Sequence, residues 1–383
     1  MNFMIPFVES LNRVFAIIKK EFLQLYRDKR SLIVFIFIPS FTLILFGYAL
    51  NLDVKNTPIV IWDKSQSYHS REFVREISNN EHFTLVKFCN SYKEIELFVQ
   101  NDVAKVGVII PDDFENSIYS DNNPEIQIIV NGAQSMIAMN IINYLNLYVH
   151  DYSIKMIKDL KVNIQTHPAI VLEPRVWYNP ELKTANFFVP GLIGFILMIL
   201  SVIATTLTFV REKERNTIEQ IIVSPVRNYE IIIGKLVAPL LIALISASLI
   251  LLTGRILFGV TIKGNILILF IATFIFLLTS LSLGIFISVL ASSQQVALLV
   301  SILSTIIPTL AFSGFVFPIN SMPLVLQYFS FVIPAKYYLI VLRGVILKGV
   351  GFMQLWEQFV YLTVFLLAMS FISLIVLKLR GLR

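Results

Sequence analysis

The sequence REKERNTIEQIIVSPVRNYEIIIGK, residues Arg211–Lys235, separates two long apolar runs that contain no charged residue. These flanking runs are Phe187–Val210 and Leu236–Gly254. A helix of about 20 apolar residues is long enough to cross the roughly 30 Å hydrocarbon core of a bilayer. We therefore predict two membrane spans joined by a polar, amphipathic segment that a soluble partner can reach.

Composition extends this interpretation to the whole chain. Its 383 residues are 56% hydrophobic and only 15% charged, with a mean hydropathy of +0.75, which is far from the average of soluble domains. Because lipid offers no hydrogen bonds, each span must be a helix that bonds its own backbone. Six uncharged runs are predicted spans: Ser31–Leu50, Phe187–Val210, Leu236–Gly254, Asn265–Leu290, Val296–Phe317 and Gln358–Leu377. A cleaved signal peptide is the alternative for the first run, but a long polar and amphipathic stretch precedes it.

The positions of the basic residues predict the orientation, since Lys and Arg beside spans favour the cytoplasmic side. With both termini cytoplasmic, fourteen basic residues share that side: Arg13, Lys19, Lys20, Arg27, Lys29, Arg30, Arg211, Lys213, Arg215, Arg227, Lys235, Lys378, Arg380 and Arg383. Residues 51–186 then lie outside, with 12 basic and 17 acidic residues. The overall charge of +6 is therefore a topology signal, and no basic face interleaved with aromatics supports nucleic-acid binding.

The predicted domains follow from these spans. Residues 1–30 form a cytoplasmic N-terminal segment in which apolar side chains between Phe7 and Tyr26 recur at helical spacing, so we expect an amphipathic helix on the inner membrane surface, or simply a basic lead-in to the first span. Residues 31–50 are the first span, residues 51–186 an external domain, and residues 187–383 a five-helix membrane domain. The fold class is thus an α-helical polytopic membrane protein with six transmembrane helices and an α/β extracytoplasmic domain between helices 1 and 2.

Inside the external domain, short β-type runs alternate with helical patterns, which is typical of a small α/β domain with a mixed sheet. The predicted strands are Pro58–Trp62, Phe83–Phe88, Val106–Ile110 and Glu125–Val130, and the helices are Ser70–Ser78, Tyr92–Val99 and Asp113–Tyr119. Gln134–Leu160 reads as one long helix whose polar and charged residues would be costly in lipid, so it is not a seventh span. The single Cys89 excludes an intrachain disulfide, and the four histidines match no metal motif.

The last external loop, Pro318–Glu357, contains two apolar helical stretches that are too short to span a bilayer. They are Pro323–Val332 and Ala335–Leu347, with Pro323 and Pro334 at their starts. We predict re-entrant or interface-lying helices, and an amphipathic surface loop is the alternative.

The sequence lacks several motifs, and their absence restricts where the energy for any transport would come from. No G-x-x-x-x-G-K-[S/T] phosphate loop, H-E-x-x-H or G-x-S-x-G occurs, so we expect no nucleotide site, metal or catalytic residue in this chain. The spans also contain none of the ionisable residues that ion-coupled carriers keep at membrane depth. In the polar segment, Thr217 and Gln220 predict a capping box for a short helix that Ser224 and Pro225 would end. Such a helix can receive force from a partner, although an ordinary solvated loop is the alternative.

Five strings together resemble a known family. They are KKEFLQLYRDKRSL (Lys19–Leu32), YNPELKTANFFVPGLIG (Tyr178–Gly194), REKERNTIEQIIVSPV (Arg211–Val226), FSGFVFPI (Phe312–Ile319) and IPAKYYLIVLRGVILKG (Ile333–Gly349). In this order, and with this topology, the chain resembles the permease subunits of ABC-2-type (type V exporter-fold) ATP-binding-cassette transporters. Within this family, the chain resembles the bacterial inner-membrane group that has a large periplasmic domain after the first span.

The resemblance implies a subunit that exports an amphipathic or drug-like substrate and pairs with itself or a sister permease. ATP and Mg²⁺ would be bound by two separate ATPase subunits, and an adaptor and outer-membrane channel are further partners to consider. It also implies roles for individual residues. Those of the ATPase-coupling region would be Arg211, Glu212, Arg215, Thr217, Glu219, Gln220 and Pro225. Those of the external re-entrant loop would be Pro318, Pro334, Lys336, Arg343 and Gly344.

Two other functions stay open at this point. A membrane-anchored external sensor or assembly factor would use the α/β domain without transport, although five later spans exceed what an anchor needs. A secondary carrier would work without an ATPase. Substrate-binding residues, the substrate itself and the choice between homodimer and heterodimer do not follow from the sequence.

Overall fold

A computed structural model describes residues 4–49, 56–119, 124–132, 135–159, 178–179, 183–214 and 226–379. Its contacts divide the chain into two compact units. Met1–Asn51 and Lys183–Arg383 form one unit, here called the membrane unit, and Leu52–Leu182 form the other, here called the α/β unit.

The elements follow one another in a simple order. They are α1 (Met4–Arg27), α2 (Lys29–Ala49), β1 (Thr57–Asp63), α3 (Tyr68–Ser78), β2 (Phe83–Phe88), α4 (Tyr92–Gln100), β3 (Val106–Ile110), α5 (Phe114–Tyr119), β4 (Gln127–Val130), α6 (Ser135–Asp159), α7 (Thr184–Glu214), α8 (Asn228–Phe258), α9 (Ile266–Leu290), α10 (Gln294–Phe312), α11 (Leu324–Ser330), α12 (Pro334–Arg343) and α13 (Phe352–Leu379). A 3₁₀ turn occupies Ile319–Ser321, and a π-helical turn, Gly344–Lys348, extends α12.

Six helices of the described chain are long and apolar enough to cross a bilayer, which confirms the predicted number of spans. They are α2, α7, α8, α9, α10 and α13. Three predicted bounds were wrong by five residues or more. Helix α13 begins at Phe352 rather than Gln358, so Phe352–Glu357 belong to this helix and not to the predicted external loop. Helix α8 begins at Asn228 rather than Leu236, since the Glu230 carboxylate accepts the Arg227 backbone N–H at 2.9 Å and starts the helix earlier. Helix α10 ends at Phe312 rather than Phe317, shortly before Gly314 adopts a φ of +77° that a right-handed helix cannot contain.

These bounds also correct the description of Arg211–Lys235 as one separate segment. Arg211–Glu214 complete the last turn of α7, and Asn228–Lys235 form the first two turns of α8. Only the stretch between these helices, most of it outside the described residues, remains as a connection.

Helices α7 and α9 form the centre of the membrane unit, where close packing depends on a glycine. A Cβ atom on Gly284 would lie 2.7 Å from the Val202 carbonyl oxygen, so only glycine permits this approach. Thr206 Oγ1 uses it to donate to the Gly284 carbonyl at 3.0 Å, and Ser301 of α10 donates to the same hydroxyl at 3.2 Å. Small residues with hydroxyl groups thus join three helices where apolar side chains gain little from contact with one another in lipid.

The α/β unit contains a four-stranded mixed sheet in the order β2-β1-β3-β4. Strand β1 is parallel to β2 and β3, and β4 is antiparallel to β3. All four predicted strands and the three helices between them are confirmed, with ends shifted by a few residues. Helix α6 buries Ile141, Tyr144, Leu145 and Tyr152 in the core of this sheet, and it is absent from the candidate spans of the described chain, as predicted.

Candidate functional site

Helix α1 packs against the first turns of α8 through a close contact at Gly234. A Cβ atom on Gly234 would lie 2.7 Å from Ile17 Cγ2, so the absence of a side chain lets the two helices approach. The face of α1 that turns toward α7 and α8 carries polar residues at helical spacing. Its large apolar residues Leu11, Phe15 and Phe22 are exposed instead.

Lys235 is the centre of a buried group of charges. Its side chain is 1% exposed, and its ammonium contacts the carboxylates of Glu212 on α7 and Glu21 on α1, the latter at 3.5 Å. The same ammonium lies 4.7 Å from the centroid of the Phe209 ring. Lys20 completes the group by donating to Glu212 and lying 3.5 Å from Glu21. The charges of the two cations, Lys20 and Lys235, therefore balance those of the two anions, Glu21 and Glu212. Because the group is buried, the loss of one charge leaves an opposite charge without its counterion.

A second ion pair holds the N-terminal half of α1. Arg13 forms a bidentate fork with the fully buried Glu230 carboxylate, with N–O distances of 3.0 and 3.1 Å. Ser10 donates a further hydrogen bond to this carboxylate, as does the Arg227 backbone N–H. Paired N–H donors fix both the position and the rotation of a carboxylate, so this contact sets where α1 lies on α8.

A third contact lies at the junction of α1 and α2. Ser31 donates to Asp28 from its side chain and its backbone, at 2.7 and 3.2 Å, and these hydrogen bonds lower the pKa of the Asp28 carboxyl below its usual value. Arg211 donates to the same carboxylate at 3.2 Å and adds to the effect. The last turn of α7 is thereby tied to the start of α2.

These contacts form one arrangement, here called the charge cluster. Its members are Ser10, Arg13, Lys20, Glu21, Asp28, Arg211, Glu212, Glu230 and Lys235. Two further contacts extend it to neighbouring helices. Glu214 accepts the backbone N–H of Gln294, the first residue of α10, at 2.7 Å, and Lys213 donates to the carbonyl of Ala291, directly after α9, at 2.8 Å. The end of α7 and the start of α8, which flank residues 215–225, are both fixed to α1.

The structure describes only part of the predicted coupling region. Arg211 and Glu212 belong to the charge cluster, and Glu212 is buried by residues of this chain. The other predicted residues lie outside the described part: Arg215, Thr217, Glu219, Gln220 and Pro225.

Sequence reasoning missed the buried partners Glu21, Glu230 and Lys235. One available signal was the spacing of Ser10, Arg13, Ile17 and Lys20–Glu21, which places polar groups along one face of α1. Another was the position of Glu230 and Lys235 ahead of a span, where a charge is costly unless it is paired.

A different arrangement occupies the other end of α7. Arg343, at the end of α12, donates to the carbonyl of Gly314 at 2.9 Å and to those of Phe315 and Phe187 at 3.4 Å. Its guanidinium also stacks on the Phe187 ring, with 4.0 Å between the guanidinium carbon and the ring centroid. One cation thus links the start of α7, the segment after α10 and the end of α12.

The two predicted short helices are present as α11 and α12, and α11 meets α12 with its π turn at an angle of 83°. Pro318 precedes the 3₁₀ turn and Pro334 is the first residue of α12. Lys336 donates to Ser330 of α11 at 2.9 Å and lies 3.8 Å from the Phe331 ring centroid. Gly344 packs where a Cβ atom would meet Leu355 and Val350 at 3.1 Å. Lys336 and Arg343 therefore serve separate contacts at opposite ends of α12.

Six apolar helices, a bent pair of short helices and a charge cluster at the ends of one polar connection are the features of a polytopic membrane protein. The family profile described as ABC-2 family transporter protein matches residues 29–375. The chain belongs to this family and is a permease component of an ABC transporter.

Relatives agree with this assignment. The chain is 29% identical over 347 residues to the probable multidrug ABC transporter permease YbhR of Escherichia coli K12, covering 91% of this chain and 93% of that protein. It is 30% identical over 345 residues to the probable multidrug ABC transporter permease YbhS of the same strain, covering 89% and 90%. ABC transporter G family member 20 of Dictyostelium discoideum is 25% identical over 381 residues, which cover 97% of this chain and 51% of that protein.

Proposed function

We propose that this chain is the membrane-spanning subunit of an ATP-driven exporter, and that separate ATPase subunits dock on the connection between α7 and α8. The charge cluster is the observation that carries this proposal. It fixes both ends of the connection to α1, so force applied there reaches α1, α7 and α8 together rather than one flexible loop. A phosphate-binding loop is absent from the sequence, and hydrolysis therefore belongs to the partner subunits.

The contact itself is proposed for residues 211–226. Arg215, Thr217, Glu219, Gln220 and Pro225 would meet the ATPase, whereas Arg211 and Glu212 would position the connection from within the charge cluster. Two ATPase subunits and a second permease, either another copy of this chain or a sister subunit, would complete the complex. Closing of the ATPases would then switch the permease pair between two packings, one open to each side.

The proposed substrate is an amphipathic or drug-like molecule moved out of the cytoplasm or the inner leaflet. Support comes from two relatives that bear the name multidrug permease and from spans that offer apolar and hydroxyl groups instead of charges. The proposed location of the protein is the bacterial inner membrane, with both termini in the cytoplasm. The α/β unit would then lie outside, and α11–α12 would border the exit. An adaptor and an outer-membrane channel would extend the path in a cell with two membranes.

Docking can be tested by co-purification. An ATPase subunit expressed with the tagged chain should co-purify with it, and Glu219→Arg should abolish this because the substitution reverses a charge in the proposed contact. Glu125→Arg makes the same change at an exposed position of the α/β unit and should leave co-purification intact. Equal recovery of the ATPase with both variants would refute docking at this connection.

Direction can be tested in inverted membrane vesicles that contain the assembled complex. Export from the cell predicts ATP-dependent accumulation of a fluorescent amphipathic dye inside these vesicles. Accumulation without ATP, or ATP-dependent release, would contradict an exporter.

A further inference from the structure

A cavity of about 260 Å³ in the α/β unit lies between α3 and the edge strand β2. Its lining combines the side chains of Arg71 and Arg75 with the apolar Leu85 and Phe88. The volume is close to the lower end of the range of known small-molecule sites. None of these residues was singled out by the sequence.

The two arginines have unused binding capacity. Arg71 and Arg75 are exposed and one helical turn apart, and within the described residues neither guanidinium forms an ion pair or a hydrogen bond with another side chain. The acidic residues of the same helix are engaged elsewhere, since Glu72 and Glu76 both pair with Lys155 of α6, at 3.1 and 2.5 Å. Two adjacent cations that form no ion pair within the described residues favour an anion at this position, and guanidinium groups bind carboxylate or phosphate through paired hydrogen bonds.

One carboxylate, Asp63, also lines the cavity, so two arginines and one carboxylate leave it a net charge of +1. Asp63 Oδ1 accepts the Gln66 backbone N–H at 2.9 Å, and Oδ2 accepts the Ser70 hydroxyl at 2.8 Å. This carboxylate is therefore committed to the turn between β1 and α3. Ser78, by contrast, also lines the cavity, and its buried hydroxyl has no partner among the described residues. It is a further donor for a bound anion.

A β-bulge creates the apolar wall. The register between β1 and β2 pairs Ile59 with Leu85 but Val60 with Lys87, so one extra residue lies in β2. In regular pleating, Phe88 would face the opposite side of the sheet from Leu85. The bulge places both on the α3 side, and it sends Lys87 to the other face, where it pairs with Glu94 at 2.7 Å. Bulges that redirect a side chain in this way often accompany binding sites.

From this geometry we propose that the cavity binds a small amphipathic anion, namely a carboxylate or phosphate attached to an apolar group about the size of one aromatic ring. The anionic group pairs with Arg71, Arg75 and the Ser78 hydroxyl, and the apolar group contacts Leu85 and Phe88. This site is separate from the connection between α7 and α8, and its occupancy does not require an ATPase.

Binding can be measured by calorimetry with the purified full-length chain and phenyl phosphate as the probe. We expect saturable binding that weakens at least about ten-fold in Arg75→Gln, the loss expected when one charged hydrogen-bonding partner is removed. Lys93→Gln removes one exposed cation from α4 of the same unit and should change the dissociation constant less than about two-fold. Phe88→Ala should weaken phenyl phosphate while leaving the weaker binding of inorganic phosphate unchanged.

Several results would overturn the proposal. They are an absence of saturable binding, an equal loss in Arg75→Gln and Lys93→Gln, or equal binding of the cation benzylammonium. A soluble short-chain phosphatidate distinguishes the source of the anion. If the phosphatidate binds more tightly than phenyl phosphate, the result supports a lipid headgroup as the bound anion. If it binds more weakly, the result supports a water-soluble metabolite. Because these measurements contain no ATPase, their failure would leave the docking proposal unaffected.

Discussion

The two ends of helix α7 are held to neighbouring helices by different kinds of contact. Glu212 near its C-terminus lies in a cluster of opposite charges, whereas the Phe187 carbonyl near its N-terminus receives a cation that no described carboxylate neutralises. These residues are about 37 Å apart along the helix at 1.5 Å per residue. Ion pairs at the first end connect three helices through side chains. Carbonyl groups and aromatic rings at the second end hold a bent pair of short helices through the backbone.

The difference indicates which end is more sensitive to the loss of a single side chain. A buried cluster of paired charges is sensitive to each member, because loss of one partner leaves another charge buried and unpaired. A cation bound by backbone carbonyls depends less on the surrounding side chains, and its removal leaves neutral groups. We therefore expect substitutions at the first end to have larger effects.

The largest effect is expected for Lys235→Met. Removal of the buried ammonium takes one counterion from Glu21 and Glu212, which should cost about 3–5 kcal/mol in the free energy of unfolding. An SDS titration in mixed micelles measures this change. Lys378→Met, at an exposed position near the end of α13, is the control and should have little effect.

A double substitution tests whether Lys235 and Glu212 stabilise the protein as a pair. Lys235→Met combined with Glu212→Gln removes one cation and one anion, and it should recover part of the stability lost in the single variant. If the double variant loses as much stability as the two single variants added together, Lys235 and Glu212 are not energetically coupled.

Arg13→Gln is expected to have the next largest effect, about 1–3 kcal/mol, because the buried Glu230 carboxylate loses its bidentate donor but keeps the bonds from Ser10 and the Arg227 backbone. A spin-label distance between α1 and α8 should broaden in this variant. Lys19→Gln, an exposed neighbour on the same helix, should leave the distance narrow. A narrow distance in both variants would show that Gly234 and Ile17 hold α1 without the ion pair.

Arg343→Met tests the other end and should cost about 1 kcal/mol. Three carbonyls lose a donor, but the substitution also removes a buried guanidinium Nε that has no partner among the described residues, and the two effects offset each other. SDS titration gives the change in stability. A loss as large as that of Lys235→Met would contradict the comparison between the two ends.

Lys336→Met should change stability less than Arg343→Met, by about 0.5 kcal/mol or less in either direction. The ammonium loses a hydrogen bond to Ser330 and its contact with the Phe331 ring, but its partial burial is also relieved. Thermal denaturation of the two proteins side by side is sufficient to detect a larger change.

Asp28 provides the smallest and most selective test, through pH. Its folded pKa is lowered by Ser31 and Arg211, so the carboxylate stabilises the fold above the pKa of the unfolded chain, near 3.9. This contribution is lost as the pH falls through the lower folded pKa. Asp28→Asn should reduce stability at neutral pH and flatten its decrease at acidic pH. If the stability of both proteins changes with pH in parallel, the Asp28 carboxyl does not contribute to the pH dependence of folding.

Much of the architecture was predictable because its signals are local. Uncharged runs gave the six spans, and alternation in residues 57–130 gave the strands. The errors fell at helix ends, where single contacts decide. Arg227 and Glu230 start α8 inside a stretch that hydropathy assigns to the polar segment, and the left-handed Gly314 ends α10 inside a run that hydropathy continues to Phe317.

The site was less predictable, since it depends on residues far apart in the chain. The sequence by itself determined that apolar helices cross a membrane and that a polar connection joins two of them, because both follow from the cost of placing charge in lipid. Only the tertiary structure decided that Lys235 meets Glu21 and Glu212, residues 214 and 23 positions away. It likewise decided that a bulge turns Phe88 toward Arg71 and Arg75. The physical reason is that pairing and register depend on how separate elements pack, and no local pattern encodes that packing.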